Sequence, residues 1–246
     1  MSISRNRIMV KKPGSYGALE FDETPLKEPG PDEVQVQVKA CGINFADICV
    51  RLGLYEAARG SYPICPGLEF SGVVSQIGEH AQAFKPGDRV FGASRFGAYT
   101  TVLNTTPDML WPLPDHWSFS KAAAFPVAYL TAWYGLHETG HLKKTDTVLV
   151  HSAAGGVGTA MIHLLKANDN KAVGVVGRSD KAVAVMDAGA AHVIDKQTRD
   201  LWKEAEKLSP AGYDMIADAN GASTLKASYN HLKPGGRLLI YGFASM

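Results

Sequence analysis

The run Thr147-Val148-Leu149-Val150-His151-Ser152-Ala153-Ala154-Gly155-Gly156-Val157-Gly158-Thr159-Ala160 constrains this chain more than any other. It opens as a short apolar segment rich in β-branched residues. It passes through a glycine-rich turn. It continues with Val157, Met161, Ile162 and Leu165 at helical spacing. That order is strand, tight turn, helix. The turn reads Ala153-x-Gly155-x-x-Gly158, a dinucleotide fingerprint with alanine in its first position. Small residues let backbone approach a pyrophosphate, and the last glycine lets the helix pack on the strand. The helix N-terminus then offers free N–H groups and partial positive charge to phosphate. The strand-turn-helix context favours a nucleotide site over a plain tight turn.

The rest of the second half follows suit. Strands are expected at Lys171 to Val176, His192 to Ile194, Tyr213 to Ala217 and Arg237 to Tyr241. Helices are expected after Ser120, which can cap, with Pro126 interrupting; after Ser179, ending near Gly189; from Arg199 to Leu208; and from Thr224 to Leu232, stopped by Pro234-Gly235-Gly236. Strand and helix in alternation imply a parallel sheet covered on both faces. With Val148 in the first strand, five strands are expected.

The first half reads differently. Val34 to Ala40 alternates apolar and polar residues after the turn cluster Pro29-Gly30-Pro31-Asp32. Ser71 to Gly78, Arg89 to Gly92 and Gly97 to Val102 read as further short strands. This spacing suggests a small barrel-like β domain. The boundary is placed near Ala122, giving domains 1–122 and 123–246.

With 246 residues, 46% hydrophobic and 20% charged, the chain has room for two ordinary domains. Its net charge of +1 gives no electrostatic case for nucleic acid as a partner. No apolar run is long enough to span a bilayer, and no signal core follows Met1 to Arg7. Cys41, Cys49 and Cys65 are odd in number and not closely paired, which suits reduced thiols and a cytoplasmic protein.

Several motifs in order resemble the medium-chain dehydrogenase/reductases, in their zinc-free quinone oxidoreductase branch. They are Lys39-Ala40-Cys41-Gly42-Ile43-Asn44-Phe45-Ala46-Asp47, Arg51-Leu52-Gly53-Leu54-Tyr55, Pro66-Gly67-Leu68-Glu69-Phe70-Ser71-Gly72-Val73-Val74, Lys85-Pro86-Gly87-Asp88-Arg89-Val90, the glycine-rich turn, and Leu232-Lys233-Pro234-Gly235-Gly236-Arg237. Asn44 to Asp47 and Leu208-Ser209-Pro210-Ala211-Gly212 look most like the vesicle amine transport protein-like members. The resemblance implies an α/β chain: an N-terminal GroES-like β-rich barrel domain, then a doubly wound Rossmann domain. The family's chain adds a sixth strand, more helix and a return segment after the last strand seen here. The sheet is therefore expected to lack its last strand, and with it the edge this family uses for homodimers.

The resemblance also bears on metal. Zinc-containing relatives place a ligand cysteine where this chain has Asn44 and a ligand histidine where it has Leu68, leaving Glu69 alone. Amide and leucine cannot supply the thiolate and imidazole a catalytic zinc prefers, so no metal site is expected. His137 and His141, four apart, read as solvated helix residues.

The activity implied is hydride transfer from NADPH to a quinone or α,β-unsaturated carbonyl. Asn44 is expected near the nicotinamide in the cleft between domains, able to donate to a carbonyl or ribose oxygen. Tyr55 is expected to donate to substrate or line its pocket, and Thr131 to sit beside the nicotinamide. Asp47 reads as a carboxylate tying its loop to Arg51 or to backbone. Ala153, Gly155, Gly156, Val157 and Gly158 form the phosphate turn. Asn220, Gly242 and Phe243 follow strands at the carboxyl end of the sheet, where open α/β folds bind ligands. No acid occupies the first two positions after the second strand, which favours NADPH over NADH. There Gly177 leaves room, Arg178 can fork onto the 2′-phosphate, Ser179 can donate and Lys181 adds charge, with Asp180 turned toward the helix N-terminus; the resemblance further implies a donor at Lys196, where NADPH-dependent members often carry a tyrosine. The alternatives are a fold-retaining nucleotide-binding or vesicle-associated protein without turnover, and a zinc-free reductase of another carbonyl class.

Overall fold

The computed structural model describes residues 3–244. The chain forms two compact units, the first ending at Val127 and the second beginning at Ala128.

In the first unit, Ile3–Val10 (β1) and Leu19–Leu26 (β2) pair as an antiparallel hairpin. Val34–Cys41 (β3) is followed by a helix, Phe45–Leu52 (α1), then by Glu69–Ile77 (β4), Arg89–Ala93 (β5), Val102–Thr105 (β6) and Leu110–Pro112 (β7). These strands form an antiparallel sheet in the order β6-β3-β4-β5-β7. Its apolar side chains, among them Val34, Val36, Phe70, Val74 and Val90, share one core. A short helix, Phe119–Ala123 (α2), precedes Pro126–Trp133 (α3) and a π-helical turn over Tyr134–Thr139.

The second unit alternates as expected: Thr147–Val150 (β8), Gly156–Ala167 (α4), Lys171–Val176 (β9), Ala182–Asp187 (α5), His192–Asp195 (β10), Leu201–Leu208 (α6), Tyr213–Asp218 (β11), Leu225–Asn230 (α7) and Leu232–Ile240 (β12). All pairings in its sheet are parallel, in the order β10-β9-β8-β11-β12. Five strands are present among the described residues, with β12 at one edge. Successive residues of a strand face opposite sides of the sheet. Val148 and Val150 accordingly join Met161, Ile162 and Leu165 of α4 in one core, while Leu149 joins Ala205 of α6 and Ile216 in another. Burial on both faces explains why these strands read as continuous apolar runs.

Local expectations differ from the structure at five places. Gly97 to Thr101 is not a strand; the chain loops there, and Ala98 and Tyr99 donate to Gly67 and Pro66 carbonyls before β6 begins at Val102. The cap of α2 is Ser118, not Ser120, because Ser118 stands three residues before the Lys121 N–H it accepts. Ser179 caps no helix: it opens a 3₁₀ turn, Ser179–Lys181, and α5 follows. The Pro234-Gly235-Gly236 run does not end a helix. Helix α7 stops at Asn230, and the run lies within β12 where the register against β11 shifts between Tyr213 and Met215, a bulge. Asp180 also pairs with Arg178, through the arginine's Nε and Nη2, a partner the sequence reading did not give it.

Candidate functional site

In the second unit an open cavity of about 610 Å³ lies at the carboxyl end of the parallel sheet. Strand β8 ends into it with His151 and Ser152, followed by Ala154 and Gly155 of the turn. Strand β9 contributes Val175 and Val176, and Gly177 follows it. Lys181, Lys196 after β10, and Asn220 after β11 complete the wall. Two lysines and the N-cap of α4 thus line one space. The first-turn N–H groups of α4 have no intrahelical acceptor, and Gly155 as N-cap brings no side chain to satisfy them. This is a place for an anion.

Of two tight points, one requires glycine. A Cβ on Gly158 would strike the Ser152 carbonyl and lie 2.8 Å from the Ala153 Cα, so only glycine lets α4 sit on the end of β8. A Cβ on Gly177 would stand 3.3 Å from the Cε of Lys196, whose stem crosses over that position. The turn also carries Ser152 at φ +51°, a left-handed conformation uncommon outside glycine. Its Oγ donates to Oδ1 of Asn220 at 3.3 Å, joining the β8–α4 turn to the loop after β11.

The structure brings Gly155, Gly177, Lys181, Lys196 and Asn220 together around this cavity. Ala153 is fully buried beneath the turn, and Gly156, Val157 and Gly158 begin α4. Gly242 and Phe243 follow β12 and run beside the loop after β11, with a Cβ on Gly242 only 2.7 Å from the Ala219 carbonyl. Arg178 and Ser179 are exposed, and each is engaged by a carboxylate: Arg178 by Asp180, and Ser179 through its hydroxyl by Asp195 at 2.5 Å. Thr131 is an exposed residue of α3 and is not in the cavity wall.

Sequence reasoning passed over His151, Ser152, Ala154, Val175 and Val176. The position of His151 and Ser152 at the end of the first parallel strand was the available signal, since ligands gather there. His151 is 1% exposed; burial above all, with Lys196 nearby adding to it, pushes its imidazole down to about 4 against the pull of Asp218.

In the first unit Asn44 is the N-cap of α1, and its backbone N–H donates to the Asp47 carboxylate at 2.8 Å, one half of a capping box. Asp47 also accepts from Gly67 N–H and the Tyr99 hydroxyl. It ties the loop to backbone and to Tyr99; Arg51 instead reaches the Gly14 carbonyl and lies over the Tyr16 ring. The Asn44 amide nitrogen donates to Oε1 of Glu69 at 2.8 Å, and Oε2 of Glu69 accepts the Val127 N–H at 2.8 Å. Glu69 is 2% exposed, and burial raises its pKa against those two donors. Tyr55 packs edge-on to Phe96 beside Val10, Val50, Ala58 and Ile64.

These residues do not fit a catalytic zinc. Both Glu69 oxygens are committed to N–H donors, and its neighbour Asn44 presents an amide nitrogen, which carries no lone pair for a metal. Among the described residues no three His, Cys, Asp or Glu side chains are gathered as a metal would need.

Comparison with known proteins fits both units. An alcohol dehydrogenase GroES-like domain model matches residues 30–115, and a zinc-binding dehydrogenase model matches residues 156–246. Crystal structures of quinone oxidoreductases superpose on the chain throughout. That from Pseudomonas syringae pv. tomato gives a TM-score of 0.89 at 34% identity, covering 100% of this chain and 74% of that one. That from Escherichia coli, complexed with NADPH, gives 0.89 at 35% identity, covering 98% and 74%. The chain belongs to the quinone oxidoreductase branch of the medium-chain dehydrogenase/reductase superfamily. Within that superfamily it is also 40% identical over 235 residues to the Danio rerio synaptic vesicle membrane protein VAT-1 homolog, covering 94% of this chain and 48% of that protein. The chain spans about half the length of that curated relative. The N-terminal sheet is thus the superfamily's GroES-like domain and the parallel sheet its Rossmann domain. Among the described residues no helix is long and apolar enough to cross a membrane.

Proposed function

We propose that this chain binds NADPH in the cavity of its Rossmann domain and serves an oxidoreductase that reduces a quinone or an α,β-unsaturated carbonyl. One observation carries the cofactor reading: Lys181 and Lys196 converge on the same cavity as the glycine-rich turn. The turn suits a pyrophosphate, and the lysines suit the extra phosphate that distinguishes NADPH from NADH. That the Escherichia coli quinone oxidoreductase was solved with NADPH supports the same assignment.

When bound, NADPH supplies a hydride equivalent, and the reduced substrate takes up a proton. The protein's part is to bind, orient and tune. Gly155 to Gly158 and the first turn of α4 hold the pyrophosphate. Gly177, Lys181 and Lys196, with Arg178 and Ser179 at the rim, read the adenosine end. Asn220, Gly242, Phe243 and Thr131 belong to the nicotinamide half. Asn44 keeps one amide proton after its bond to Glu69, and we assign that proton to an oxygen of substrate or cofactor that gains negative charge. Tyr55 lines the substrate end. No step needs a covalent nucleophile or a metal. The cytoplasmic location is part of the same proposal, supported by Cys41, Cys49 and Cys65 all being free thiols.

Steady oxidation of NADPH by the protein, followed at the nicotinamide absorbance with a quinone and then an enone, tests this reading. Turnover with either supports it. Tight NADPH binding without turnover on both panels favours the non-catalytic nucleotide-binding alternative, for which the likeness to VAT-1 homologues speaks.

A further inference from the structure

We infer that Asp218, Ser228 and His151 form a buried positioning relay that locks the two cavity loops together for the dinucleotide, an inference that rests on the nucleotide-binding reading above. Asp218 ends β11 and is fully buried. Its Oδ1 accepts the N–H of Asn220 at 2.8 Å and of Gly221 at 3.1 Å, and Thr224 donates its hydroxyl to the same carboxylate. Its Oδ2 also accepts the Ser228 hydroxyl at 2.7 Å. Burial pushes the Asp218 carboxyl up, but the hydroxyls of Thr224 and Ser228 and the two N–H groups together hold it below the ordinary value. It is a carboxylate.

The proton arrangement then follows. A hydroxyl has one proton, and that of Ser228 is spent on Asp218. His151 Nε2, 3.1 Å from the Ser228 oxygen, must therefore be the donor. His151 is the neutral Nε2–H tautomer. It is held at two further points, donating its backbone N–H to Ala217 at 2.9 Å and accepting the Tyr241 hydroxyl on its carbonyl at 2.8 Å.

The two ends of this relay are the cavity's two walls. His151 is followed by Ser152 in its left-handed conformation, and Asp218 fixes the N–H of Asn220. Ser152 and Asn220 meet at the cavity surface, and His151, Ser228 and Asp218 meet beneath them. A buried carboxylate without a cation partner costs stability that apolar packing at the same place would not. What the carboxylate does here is shape the loop that presents Asn220. These walls contact the part common to NADPH and NADH. The 2′-phosphate is assigned to Lys181 and Lys196, on another wall of the same cavity. Disturbing the relay is thus expected to weaken both cofactors alike.

The test titrates wild type, Ser228→Ala, His151→Gln and His151→Leu with NADPH and with NADH, alongside thermal unfolding of each. Loss of one buried hydrogen bond predicts that Ser228→Ala weakens both dinucleotides by the same factor, roughly three- to tenfold, with their ratio unchanged. His151→Gln, which keeps a donor, should bind better than His151→Leu, and this pair decides the matter if Ser228→Ala does not fold. A folded Ser228→Ala with a lowered melting temperature but unchanged affinities would make the relay merely structural and overturn the inference. A loss confined to NADPH would overturn it too. A wild type that binds neither dinucleotide overturns the nucleotide reading itself, and the inference with it.

Discussion

Arg178 gives Asp180 both its Nε, at 3.0 Å, and its Nη2, at 2.6 Å. The fork that would suit a 2′-phosphate is already engaged by a carboxylate two residues away. Both side chains are exposed, so the pair is weak and exchangeable. Lys196, by contrast, lies across Gly177 in the cavity wall. Lys196→Ala should therefore weaken NADPH by roughly tenfold or more, and Arg178→Ala by less, with little change for NADH in either. Asp180→Asn should tighten NADPH modestly. Fluorescence titration of the three variants with both cofactors checks the order.

Asn44 and Glu69 form the matching pair in the first unit. Removing the amide leaves a buried carboxylate with one of its two described donors gone. Asn44→Ala should cost about 1–3 kcal/mol in urea unfolding. If its other amide proton serves the reaction, turnover should also fall roughly ten- to a hundredfold. Unchanged turnover would remove Asn44 from the chemistry and leave it a helix cap.

Glycines two residues apart in α4 should behave differently. Gly158→Ala drives a methyl against the Ser152 carbonyl and Ala153, and overpacking of this kind costs about 1–3 kcal/mol. A Cβ on Gly156 meets only the Ala128 methyl, at 3.8 Å, so Gly156→Ala should change stability by less than about 1 kcal/mol. Thermal melts of the two variants give the comparison.

The pH dependence of stability carries a signature of His151. The unfolded chain protonates this imidazole near pH 6.5 and the fold only near 4. Between those values the unfolded state holds more protons, so stability rises with pH. It is lost as the pH falls from about 6.5 toward 4, on the order of 3 kcal/mol in full. Asp218, held below its ordinary value, acts in the same direction at lower pH. Glu69 and Asp47, both raised by burial, act in the opposite direction. The difference between wild type and His151→Gln isolates the histidine: the variant should lose less stability between pH 7 and pH 4.5.

Much of the Rossmann unit was legible because its strands are buried on both faces and its helices carry an apolar stripe, as Met161, Ile162 and Leu165 show. The β1–β2 hairpin was not. Its first strand opens with the polar run Ser4-Arg5-Asn6-Arg7 and its second sets Asp22 beside Glu23, so neither alternates cleanly and alternation did not mark them. Gly155, Gly177 and Lys181 could be read from the fingerprint and from the end of an expected strand, and Lys196 from the family resemblance. The partners of Arg178 and Ser179 could not: Asp195 reaches Ser179 only because β9 and β10 are neighbours in the sheet. His151 was hidden for the same reason, since Ser228 and Asp218 approach it through pairing of β8 with β11.

The proposed role of this Rossmann domain is to hold NADPH and read its 2′-phosphate. The most direct measurement is titration of the wild-type chain with NADPH and NADH at low and high salt. NADPH should bind more tightly, by roughly tenfold or more from charge-assisted bonds to the lysines, and the preference should shrink as salt screens them. NADH bound equally or more tightly, or neither cofactor bound, would contradict it.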